Sequence, residues 1–97
     1  MIHTLDTLRT HRNEILKLAH LRRIRGVRVF GSVSRGEATE NSDIDFLVDV
    51  ESTCSLFDLG GFQADLEDLL ERKVDVVSER GLRPRFRAQV MQDAIQL

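Results

Sequence analysis

Asp43-Ile44-Asp45-Phe46-Leu47-Val48-Asp49-Val50 is the stretch on which the fold turns. Its residues alternate, which is the period of a strand with one face in the core. Ile44, Phe46, Val48 and Val50 fall on one side; Asp43, Asp45, Leu47 and Asp49 fall on the other. Asp43 and Asp45 thus share a face, about 6.6 Å apart along the strand. Two ionised carboxylates there repel each other, so a purely structural role suits them poorly. Two divalent cations would be bridged well by such a pair. Magnesium is the natural choice, because it prefers carboxylate and phosphate oxygens. A bare Asp-x-Asp is nevertheless also what a solvated strand face looks like.

Upstream, Val27 to Phe30 is a short β-branched and aromatic run that reads as a strand, and Gly31-Ser32 follows at once. Backbone N–H groups where a strand gives way to a helical turn can receive phosphate oxygens, and glycine lets the phosphate approach. The Ser32 hydroxyl adds a donor. Residues 33–42 are small and polar, suited to a short helical turn and a loop. Arg35 lies in that loop and could neutralise a polyphosphate, as could Lys73 downstream. Further toward the start, Thr4 to Arg23 places Leu5, Leu8, Ile15, Leu18 and Ala19 at helical spacing, with Thr4 as a cap, and Gly26 breaks the pattern.

Downstream, Ser55 to Arg72 reads as a helix on the stripe Leu59, Phe62, Leu66, Leu69 and Leu70. Gly60-Gly61 interrupts it, at about 1 kcal/mol per glycine against alanine, and marks either a weak first turn or close packing. Val74 to Val77 is a third short strand. Its valines at 74 and 76 face the core, so Asp75 faces the side that carries Asp43 and Asp45. A carboxylate there could complete a metal site and accept a proton from an attacking hydroxyl. Pro84 opens a last helix, with Phe86, Val90, Ala94 and Leu97 along one side. The order is α-β-(turn)-β-α-β-α. It predicts an α+β unit of two layers, with one sheet face covered by helices and the other open.

The 97 residues bound the chain to one domain, expected over 1–97. Charged residues at 31% and apolar residues at 41% mark a globular sequence rather than a disordered one. A net charge of −2 removes the argument for a nucleic-acid backbone as partner. The single cysteine, Cys54, allows no internal disulfide and reads as a reduced, partly buried thiol. The first residues show no signal peptide, and no stretch approaches a membrane span, so a cytoplasmic location is expected.

Together, Gly31-Ser32-Val33-Ser34-Arg35-Gly36-Glu37 and Ser42-Asp43-Ile44-Asp45-Phe46-Leu47-Val48 resemble the signature of the DNA polymerase β-like nucleotidyltransferase superfamily. The short chain, with Arg72-Lys73-Val74-Asp75-Val76-Val77 and the last helix, resembles its minimal nucleotidyltransferase (MNT) branch. The resemblance implies that Gly31 and Ser32 hold the triphosphate and that Asp43 and Asp45 bind two Mg2+ ions. Asp75 would be the third carboxylate, at the acceptor hydroxyl. It further implies an antitoxin paired with a HEPN-domain toxin, moving AMP from ATP to a hydroxyl of the toxin, in some members a tyrosine. A chain this short has no second domain to hold an acceptor, which fits an acceptor brought by another protein. The exposed faces of the first and last helices are candidates for docking it. Two alternatives remain: an antitoxin that neutralises by binding alone, and a transferase acting on a small molecule such as an antibiotic.

Overall fold

A computed structural model describes residues 4–97 of the chain. Thr4 starts the first helix with a capping box, its hydroxyl accepting from the Thr7 N–H at 3.2 Å. The helix expected over 4–23 is two helices, α1 (Leu5–Arg9) and α2 (Arg12–Leu21). No glycine or proline makes the break. The Thr10 hydroxyl donates back to the Thr7 carbonyl at 2.6 Å, and such local bonds compete with helix continuation. Leu8, Ile15 and Ala19 all reach the core across the break.

Strand β1 (Ile24–Phe30) begins before the expected run, and Gly26 lies inside it at a register shift rather than ending the helix. It pairs antiparallel with β2 (Ile44–Val50), and Asp43 lies one residue ahead of that strand. Helix α4 (Leu56–Leu70) then crosses to β3 (Val74–Ser78), which pairs parallel to β2. Ser55 caps α4, accepting from the Asp58 N–H at 3.1 Å. The helix runs unbroken through the glycine pair. A Cβ on Gly60 would meet nothing, but one on Gly61 would stand 2.3 Å from the Arg22 guanidinium. That guanidinium lies across the helix and reaches Asp65 at 3.1 Å. Close packing is thus the reason for Gly61 and not for Gly60.

The last helix, α5 (Pro84–Asp93), is shorter than expected. Ala94 is extended, and the chain continues into a fourth strand, β4 (Ile95–Gln96), antiparallel to β1. Ala94 and Leu97 therefore do not belong to the helix, and the three-strand reading is corrected to four, ordered β3-β2-β1-β4. Leu97 joins the core instead. Helices α2 and α4 bury one sheet face, where Ile15, Phe62 and Leu66 meet Val27, Val29, Phe46 and Val48.

The opposite face is not left open as expected. Leu47 points there and is 1% exposed. After β3 a 3-10 turn (Glu79–Gly81) packs on β2, and α5 packs on β1. Arg28 pairs with Glu79 in that turn, and the Glu79 carbonyl accepts from Arg87 of α5 at 3.4 Å. The roof is polar, and no residue of α5 is buried.

Candidate active site

Strand register does the assembling. In the parallel β2–β3 pair Asp45 lies directly beside Asp75, and in the antiparallel β1–β2 pair it lies beside Phe30. Phe30 ends β1, so the chain turns into the short helix α3 (Gly31–Ser34) next to the Asp45 carboxylate. Gly31 has φ +71°, and a Cβ there would stand 2.3 Å from Asp45 Oδ2. Both the left-handed backbone and the close approach demand glycine. The structure thus gathers Gly31, Asp45 and Asp75 at one edge of the polar face. Ser32 follows in α3, and Asp43 heads β2 in an exposed position.

Asp45 carries the electrostatic signature of the site. Burial raises its pKa to about 6, helped by the negative charges of Asp75 and Asp43 and by a hydrogen bond to Asp75, while Arg35 pulls it down. A cation bound beside these carboxylates would offset the repulsion that raises the Asp45 pKa. Among the described residues no three carboxylate, imidazole or thiol groups enclose a metal site on their own. Magnesium asks for less, since one or two carboxylates plus substrate phosphates and water complete its shell. The Asp45–Asp75 pair, with Asp43 beside it, fits that need.

Arg35 is held by two acidic side chains. Its guanidinium donates to Glu37 at 2.7 Å and to Asp93 at 2.7 Å, so it ties α3 to the end of α5. Those two acidic partners raise its pKa. Lys73 is exposed at the rim of a cleft of about 630 Å³ that Ser42, Asp43 and Arg72 also line. The sequence reading missed Arg72. Its guanidinium donates to the carbonyls of Thr39 and Ser42, which pins the loop that presents Asp43. No spacing announces this bond, because its acceptors are backbone atoms on a distant loop.

The nucleotidyltransferase domain is the family whose sequence model matches, over residues 8–97. The protein adenylyltransferase MntA of Thermococcus cleftensis is 39% identical over 72 residues, 74% of this chain and 73% of its own. A Methanocaldococcus jannaschii protein assigned as a protein adenylyltransferase is 35% identical over 91 residues, 93% of this chain and 90% of its own. A solved structure assigned as a minimal nucleotidyltransferase superposes with TM-score 0.86 at 50% identity, covering 97% of this chain and 96% of that one. A toxin–antitoxin crystal structure with AMP-PNP superposes with TM-score 0.75 at 29% identity, covering 87% and 69%. This chain belongs to the nucleotidyltransferase-domain family, in the minimal nucleotidyltransferase branch that also holds MntA.

Proposed function

We propose that this chain moves AMP from ATP to a hydroxyl, of tyrosine type, on a HEPN-type toxin partner, and so acts as the antitoxin of the pair. One observation carries the reading: the β2–β3 register sets Asp45 directly beside Asp75, and Gly31 turns the chain so close to that pair that a Cβ would stand 2.3 Å from the Asp45 carboxylate. The adenylyltransferase relatives and the toxin–antitoxin neighbour with AMP-PNP support the choice of ATP and of a protein acceptor.

The parts divide the work. The backbone of the Gly31-Ser32 turn and the Ser32 hydroxyl receive phosphate oxygens. Asp43, Asp45 and Asp75 would hold Mg2+, which would neutralise phosphate charge and lower the pKa of the attacking hydroxyl. Asp75, exposed at the edge of the pair, accepts the proton of the acceptor hydroxyl. Arg35, paired with Asp93, holds α3 against α5 and so fixes the turn, within reach of the polyphosphate. The chain offers positioning and charge and no covalent nucleophile.

The test is transfer from ATP labelled at the α-phosphate. The Asp43→Asn/Asp45→Asn variant should bind the partner normally and leave it unlabelled, with a loss of at least about a thousandfold in rate. Labelling at the wild-type rate would remove the site assignment.

A further inference from the structure

Residues 83–89, the N-cap and first turns of α5, are all exposed. Arg83, Arg85 and Arg87 lie in this stretch and Arg80 just before it, in a chain of net charge −2. The first turn of α5 holds no acidic residue. A helix start is the positive end of its dipole, so cations there cost the helix stability. Arg83 and Arg85 form no ion pair among the described residues. The Arg85 guanidinium instead lies 4.7 Å from the ring centre of Phe86, itself 49% exposed. Among the described residues, Arg87 alone of these side chains has a polar partner, the Glu79 carbonyl, and Arg85 meets only the Phe86 ring. Exposed arginine beside an exposed aromatic is the composition of an interface centre.

The other end of α5 meets the site, since Asp93 accepts from Arg35. Arg85 precedes Asp93 by eight residues, about 12 Å of helix. We propose that the outer face of the first two turns of α5 docks the protein that brings the acceptor hydroxyl. It does so through acidic side chains that the partner carries near that hydroxyl. The proposal rests on the transferase reading above. A nucleic acid fits the same arginines less well. Its backbone would meet Asp43, Asp45 and Asp75 on the same face of the sheet.

The experiment uses three fluorescent probes on the full chain, read by anisotropy. One is a tyrosine peptide with aspartates four residues from the tyrosine, the second carries lysines in their place, and the third is a single-stranded RNA of equal charge. The acidic peptide should bind at least tenfold tighter than the lysine peptide, and added salt should weaken it. Arg83→Glu/Arg85→Glu should lose at least tenfold of that binding, keep its affinity for ATP, and melt at a higher temperature than wild type, because the dipole cost is gone. Equal binding of both peptides, no binding, or an unaffected variant would overturn the proposal. So would tighter RNA binding, or a wild-type dimer that the variant dissolves in sedimentation. AMP labelling of the bound peptide is read separately. A peptide that binds through the arginines but takes no label would leave the docking face standing and count against the transferase reading. Label that ignores the arginines would do the reverse.

Discussion

Asp45 holds its proton longer than a solvated aspartate does, and the sign of the consequence is the reverse of ordinary acid sensitivity. Its folded pKa is about 6 against 3.8 for the free group. The protonated form is thus favoured by folding. That contribution is complete below the unfolded value and is lost as pH rises through about 6. With chelator present, Asp45→Asn should therefore gain thermal stability over wild type at about pH 8 and gain much less at about pH 4. Melting curves at the two pH values decide it, and a gap that does not grow with pH would refute the assignment of charge. At this scale the sequence was informative. The placing of Asp45 beside Asp75 follows from strand alternation and that of Gly31 from its position at a strand end, while Asp43 lies one residue ahead of its strand. The bond from Arg72 to Ser42 and that from Arg35 to Asp93 were illegible, because the partners lie thirty and fifty-eight positions away.

Elements with a local cause were the ones that could be read. Thr4, Ser55 and Pro84 each mark a helix start through a bond or a dihedral set within a few residues. The strand at Ile95–Gln96 has no such mark. A two-residue strand exists only because β1 offers it an edge, which is a tertiary fact. Helix α4 yields a paired prediction. Gly60→Ala should stabilise the chain by about 1 kcal/mol, since helix propensity improves and the space is open. Gly61→Ala should gain nothing or lose, because its methyl displaces the Arg22 guanidinium from Asp65. Chemical denaturation of the two variants compares them directly. Equal gains would mean that Arg22 does not lie across the helix.

The whole molecule has one well-packed sheet face and one polar face, and its stability rests on the first. Leu97 is 5% exposed in that core although it follows the last strand. Leu97→Ala should cost about 2 kcal/mol or more. For a domain of this size that is a drop in melting temperature of roughly 10 °C. A loss within about 0.5 kcal/mol would place residue 97 on the surface. The sequence reading expected an open second face because it counted three strands and kept the last helix continuous to Leu97. In the fold the helix stops at Asp93, which frees Ile95 to pair and lets α5 lie over the carboxylate face.

The parallel pairing of Asp45 with Asp75 has a consequence for how such a site can vary. Twenty-nine residues of chain separate the two, yet their spacing is set by one step of a hydrogen-bonded ladder. The intervening helix and loops act as slack cord between two pegs on a ruler. Residues can be added to the cord, in the exposed stretch 51–53 for example, without moving either peg. A slip of one position in the ladder would turn one carboxylate to the wrong side and leave the other alone.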